Sequence, residues 1–304
     1  MFQITSYKDV AVGVATALVG VALYHIRAFL YVEPCAKIQR KANAPIALTG
    51  DSSTITVWGF QKRGEYPSYH KGICNGSPYV ARVECYLRLR GITNYTKAVS
   101  VDLSENPRTK LPFANVKGLM VDDSGRILQA IQKELNIDET KDLSPEQLRN
   151  GHFLRRLLTG SFYWIRYSMN FGCEEGRQAV VDELRKGLPA PLVPVISAMV
   201  IKAQQANLYG HGIGRMPFEE IIEMGQADLR AINSLLGNNT FILGTEKATV
   251  FDTDLYAFVG HLFYDTTPSS MQWVQEMKKE LPKLEQYTDR MRSLLFPEFK
   301  TKTS

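Results

Sequence analysis

The stretch CNGSPYVARVECYLRLRGI, Cys74 to Ile92, puts a thiol and a hydroxyl close to the start of an amphipathic helix. Ser77 is a favoured N-cap residue, and Pro78 suits the first helical position, where its missing N–H would have no partner anyway. The exposed N–H groups and dipole of such a helix start favour an anion or a thiolate, so Ser77 can be a cap or a ligand-holding group. CNGS can also be read as a single-thiol C-x-x-S redox motif. The register counts against that reading, because Cys74 precedes the cap by three residues, too far for the dipole to lower its pKa strongly. The four cysteines, Cys35, Cys74, Cys85 and Cys173, have neither CxxC spacing nor His neighbours at metal-ligand intervals, so no zinc site or disulfide framework is indicated. Gly210, Gly212 and Gly214 suggest a nucleotide loop, but they follow a predicted helix instead of a strand, and His211 among them reads as a loop residue.

These groups need a scaffold, and hydropathy patterning supplies one. TITVWGF, Thr54 to Phe60, is β-branched and aromatic and reads as a strand. In the helix after Ser77, Val80, Val83 and Leu87 form an apolar stripe, Arg82, Glu84 and Arg88 fall largely off it, and Gly91 ends the run. Cys85 beside the stripe reads as a small packed side chain. Strands follow at Tyr95 to Leu103, Leu111 to Val116 and Gly118 to Asp123, then a helix from Ser124 to Leu135 with Ile127, Leu128, Ile131 and Leu135 on one face. The remainder is helical by periodicity: Leu154, Leu158, Phe162 and Ile165 line one face, and Tyr163, Trp164 and Tyr167 add aromatic bulk for a core or a pocket wall. A helix ends at Gly237, and Thr249 and Asp252 form a T-x-x-D capping box before another.

Composition narrows the function classes. A formal charge of +5 over 304 residues, without a dense Lys/Arg block, sets nucleic-acid binding aside. From Val10 the chain reads VAVGVATALVGVALY without a charge and resumes as AFLYV to Val32, a span suited to a single transmembrane anchor with Arg27 snorkelling near one end. Arg27, Lys37, Arg40 and Lys41 crowd its C-terminal flank, so the positive-inside bias predicts a single-pass membrane protein with its main domain cytosolic. N-x-[ST] sequons at Asn75, Asn94 and Asn238 point the other way and carry less weight. The expected organisation is a tail at 1–9, an anchor at 10–32, a linker at 33–53, an α/β domain at 54–140 and an all-helical domain at 141–304.

The βαβ–ββα order, with the residues at its joints, resembles the thioredoxin-like domain of the glutathione-transferase superfamily. Ser77-Pro78 stands where those proteins carry a Cys, Ser or Tyr near the start of the first helix. Leu111-Pro112 stands where they carry a hydrophobic residue and a cis-proline, and Asp123-Ser124 where they carry an acidic residue and a serine at a helix start. GHGIGRMPFEEI and the closing LPKLEQYTDRMRSLLFPEF look like the failed-axon-connections and metaxin branch. The resemblance covers Thr54 to Phe299 and implies a four-stranded mixed sheet followed by a helical domain. It implies glutathione as co-substrate: Ser77 facing the sulfur, Leu111 at a cis bond pairing with the cysteinyl backbone, and Asp123 and Ser124 meeting the γ-glutamyl charges. Two functions follow: a membrane-anchored protein that binds glutathione and conjugates it to an apolar electrophile, or a non-catalytic membrane adaptor acting through protein partners. A homodimer is compatible with either. The chain departs from the pattern in its long Gln61 to Gly76 loop and in Ser77, which replaces the cysteine or tyrosine of many transferases. A serine cannot be a redox thiol, which excludes a disulfide oxidoreductase acting through Ser77.

Overall fold

A computed structural model describes residues 54–59, 71–99 and 110–299. The first half of this region holds β1 (Ile55–Gly59), α1 (Pro78–Leu89), β2 (Thr96–Val99), β3 (Phe113–Val116), β4 (Leu119–Asp122) and α2 (Ser124–Glu134). The strands form one mixed sheet of order β2-β1-β3-β4, with β1 parallel to β2 and antiparallel to β3, and β3 antiparallel to β4. This is the expected sheet, with shorter strands. The far end of the predicted second strand, Phe60 and most of the Gln61 to Gly76 loop lie outside the described residues.

Local chemistry sets the joints. Val116 pairs with Leu119, leaving Lys117 and Gly118 as a two-residue hairpin turn with φ of 49° and 93°, the left-handed pair that matches strand twist. Trp58 and Phe113 face each other across β1 and β3 with ring centroids 4.8 Å apart, which secures that register. At the end of α1, Ile92 N–H donates to the Leu87 carbonyl at 2.9 Å while Gly91 takes φ 68°, the glycine stop expected from sequence.

The helical half runs α3 (Pro145–Leu157), a π-helical turn (Leu158–Phe162), α4 (Tyr163–Phe171), α5 (Glu174–Gly187), α6 (Val193–His211), α7 (Phe218–Leu236), α8 (Val250–Tyr264), α9 (Thr266–Ser270), α10 (Gln272–Glu280) and α11 (Pro282–Leu295). Every residue of α8 is buried, and α8 packs on α1, α3 and α11. One apolar cluster therefore runs from the sheet through α1 and α8 into the bundle. The capping box forms as read: Thr249 N–H and hydroxyl donate to Asp252 Oδ2 at 2.7 and 2.8 Å, and the other carboxylate oxygen takes Ile242 N–H and the Tyr287 hydroxyl.

Two expectations change. Arg82 and Glu84 are buried, not solvent-facing, because α1 is covered by the sheet on one side and by α8 on the other. Glu84 is neutralised by Lys97 at 2.8 Å. His211 closes α6 instead of lying in a loop, its ring stacked on Trp164 at 4.3 Å. The predicted anchor, Val10 to Val32, lies outside the described residues, among which no helix is long and apolar enough to cross a membrane.

Candidate functional site

Arg82 is the centre of a buried polar cluster. From α1 its Nε donates to Asp254 Oδ1 at 2.5 Å, and its Nη1 donates to Ser124 Oγ at 3.1 Å. Arg155 of α3 reaches the other oxygen of Asp254 at 2.7 Å, and its guanidinium lies 4.7 Å over the Phe251 ring. One carboxylate from the central helix thus faces two guanidinium groups, and α1, α2, α3 and α8 meet there. Two cations against one buried anion leave positive charge directed at the neighbouring cavity.

That cavity has a volume of about 610 Å³ and is lined by Arg82, Leu111, Pro112, Asp123, Ser124 and Arg155, among others. The Leu111–Pro112 peptide bond is cis and directly precedes β3. Asp123 sits at φ 66°, and its Oδ1 caps α2 by accepting from Gly125 N–H at 2.9 Å, so Ser124 is the first residue of that helix. A helix N-terminus and a guanidinium therefore converge at Ser124, an arrangement that favours a carboxylate. The other wall is aromatic: Tyr79, Tyr163, Trp164 and Tyr167. Tyr79 packs against Tyr163 at 4.8 Å and Phe258 at 5.3 Å, and donates its hydroxyl to the Thr159 carbonyl in the π-helical turn at 3.3 Å. Burial pushes the Tyr79 phenol up, so it is a neutral O–H donor.

Four of the five residues singled out from sequence, Leu111, Pro112, Asp123 and Ser124, line one cavity. Ser77 is not among its lining residues. It is the N-cap of α1: its Oγ accepts from Val80 N–H at 3.5 Å, and its own N–H donates to Asn75 Oδ1 at 3.0 Å. The segment before it is held by Tyr256 donating to the Gly72 carbonyl at 3.0 Å and by His261 Nε2 against the Asn75 carbonyl at 2.6 Å. Cys74 is 1% exposed, and burial raises its thiol well above the ordinary range, the opposite of a reactive cysteine. Cys85 is buried in the core, as expected. Sequence reasoning missed Arg82, Arg155 and Asp254. The available signal was Asp254 itself, a carboxylate inside the apolar run of α8, where an unpaired charge is untenable. A second cavity of about 510 Å³ is lined by Asp138, Glu139, Asp142 and Glu246 together with Arg90 and Lys247, a lining that is net acidic and suits an anionic ligand less.

Comparison with known proteins places this geometry. Residues 78–175 match the glutathione S-transferase N-terminal domain family and residues 225–291 the C-terminal domain family. The chain is 28% identical over 252 residues to the isoprene-epoxide glutathione S-transferase of a Rhodococcus species, covering 74% of this chain and 98% of that one. It is 25% identical over 242 residues to the failed axon connections protein of Drosophila melanogaster, covering 73% of this chain and 55%, just over half, of that one. Among solved structures, a glutathione S-transferase of Methylobacterium radiotolerans in complex with glutathione sulfonate aligns with TM-score 0.51 and 16% identity, over 81% of this chain and 92% of that one. A β-etherase of a Sphingobium species aligns with TM-score 0.54 and 12% identity, over 81% and 99%. These structural likenesses show the shared fold.

Proposed function

We propose that this chain, which belongs to the glutathione-transferase-like superfamily, binds glutathione in the Arg82–Ser124 cavity and presents its thiol to an apolar electrophile. The observation that carries the reading is the convergence of the cis Leu111–Pro112 bond, the Ser124 helix start and the Arg82–Asp254–Arg155 cluster on one cavity with an aromatic wall.

The residues fit the charges of the tripeptide. Ser124 and the α2 N-terminus suit a carboxylate, Asp123 suits an ammonium, and the backbone of Leu111 offers strand-like pairing to an extended peptide. The cationic cluster favours the thiolate over the thiol. When bound, glutathione supplies the nucleophile: its sulfur bonds to an electrophilic carbon, whose leaving group departs with the electron pair. Tyr163, Trp164 and Tyr167 provide apolar surface for such an acceptor. Tyr79 is the lining hydroxyl at the α1 end, and its single O–H turns from the Thr159 carbonyl, a long 3.3 Å bond, to the thiolate when glutathione binds; Ser77 is spent as the cap of α1, where its oxygen accepts from Val80.

Titration of the full-length chain with glutathione, followed by Trp164 emission or calorimetry, tests the reading. Saturable binding in the millimolar range or tighter is expected. Absence of binding would overturn it and leave the second reading, a non-catalytic adaptor acting through protein partners, which the similarity to the failed axon connections protein favours. In both readings the Val10 to Val32 segment tethers the domain to a membrane with the main domain cytosolic. Asn94 and Asn238 are exposed, so a glycosidase-sensitive mass shift would contradict that topology. Asn75 is fully buried and cannot report.

A further inference from the structure

Helix α6 is packed inside out. Of its four buried residues, Val193, Ser197, Gln204 and Leu208, two are polar. Gln204 is accommodated by accepting the Tyr167 hydroxyl and the Asn207 amide, and Ser197 by donating to the Pro194 carbonyl. The outward face carries apolar residues, with Val195 59% and Tyr209 61% exposed and Pro194, Ala198 and Ala206 exposed as well, and among them stand the exposed Lys202 and Gln205. The surface continues into the connection to α5, where Pro189, Ala190 and Pro191 are exposed. From Gly187 to Ile201 the sequence holds no charge, and Lys186 and Lys202 bracket it.

We propose that this face docks on a bilayer surface bearing anionic headgroups. A helix that exposes Val195 and Tyr209 while it buries Ser197 and Gln204 suits a covered state. Charge selects the cover. No acidic side chain lies between Gly187 and His211, while Lys186 stands at the start of the face and Lys202 within it, where a stem can run along apolar surface and an ammonium can reach a phosphate. Lys186 pairs with Glu183 at 2.6 Å one turn back on α5, and both are exposed, so that pair is weak enough to exchange for a headgroup. Tyr209, with an apolar ring and a polar tip, suits the depth of the headgroups. No described helix can cross a membrane, so α6 lies along the surface instead of spanning. The face is distinct from the Val10 to Val32 segment.

The test places a reporter on the face of the full-length chain. Val195→Trp, and Leu294→Trp on α11 as the control, are mixed with phosphatidylcholine vesicles brominated in their acyl chains, with and without phosphatidylserine. Quenching of the added emission is expected in Val195→Trp and not in Leu294→Trp, strengthened by phosphatidylserine. Adding Lys186→Gln or Lys202→Gln should weaken the vesicle affinity of the quenched state about fivefold for each lysine. No quenching, or equal quenching in both variants, would overturn the proposal. So would shielding of the Val195→Trp emission from an aqueous quencher before lipid is added, which would mean that a second copy or another segment of the chain covers the face.

Discussion

Asp254 shows what a single carboxylate does at this site. With a side chain 1% exposed it pairs with Arg82 and Arg155 at once, so its loss would leave the buried Arg82 and the partly exposed Arg155 without their shared anion. Asp254→Asn is expected to lower stability by about 3–5 kcal/mol in denaturant unfolding, the cost of breaking a buried pair from one side. Ser77 and Ser124 are both small hydroxyls at helix starts, yet their contacts differ. Ser77→Ala removes a cap and should cost about 0.5–2 kcal/mol of stability while leaving glutathione affinity and the pKa of the bound thiol unchanged. Ser124→Ala removes the Arg82 partner inside the cavity and should chiefly weaken glutathione binding, with the effect on thiol pKa falling to Tyr79→Phe, which should raise it. Measuring affinity and bound-thiol titration across the three variants checks this. A thiol pKa that rises in Ser77→Ala and not in Tyr79→Phe would return the thiol-facing role to Ser77.

At the scale of elements, the contact between α3 and α8 decides whether the site assembles. Gly151 of α3 lies so close to α8 that an added Cβ would sit 2.6 Å from the Phe251 ring, the same ring under Arg155. A ring in a packed core has nowhere to move cheaply, so Gly151→Ala should cost about 1–3 kcal/mol and shift Arg155 off Asp254. Lower thermal stability together with weakened glutathione binding is the expected signature. Stability loss without any change in binding would show that the two helices can separate slightly and leave the ion pair intact. The π-helical turn between α3 and α4 belongs to the same assembly, because it carries the Thr159 carbonyl that receives Tyr79.

For the whole molecule, His261 ties the bundle to the segment preceding α1. Its ring nitrogens lie 2.6 Å from the Asn75 carbonyl and 2.5 Å from the Ala257 carbonyl, contacts that favour the imidazolium, as does Asp265. Burial first and the Arg166 charge second outweigh them and bring its pKa down from 6.5 to about 4. The unfolded chain therefore takes up a proton that the folded one refuses. Stability from this group is full above pH 6.5 and is lost as pH falls toward 4, at about 1.4 kcal/mol per pH unit at most. Urea unfolding at about pH 7 and pH 5 should show the decline, and His261→Gln should flatten it. A slope unchanged in the variant would assign the acid sensitivity to other groups.

Sequence alone determined what depends on neighbours along the chain. Pro78 after Ser77, the Lys117-Gly118 turn, Gly91 and the Thr249–Asp252 box are decided within a few residues, and the βαβ–ββα order follows from their sequence of starts and stops. The pairing of Asp123 with Ser124 at a helix start was legible for the same reason. What only tertiary structure decided is where charge goes when two elements meet. Arg82 reads as a surface residue on an isolated helix, because nothing local says that α8 will cover it and place Asp254 within 2.5 Å. Residues 82, 155 and 254 are far apart in the chain, and the energy that joins them comes from excluding water around them, which the folded bundle supplies and no local pattern encodes. The same holds for α6, where only the fold decides that Val195 and Tyr209 turn outward and Ser197 and Gln204 inward.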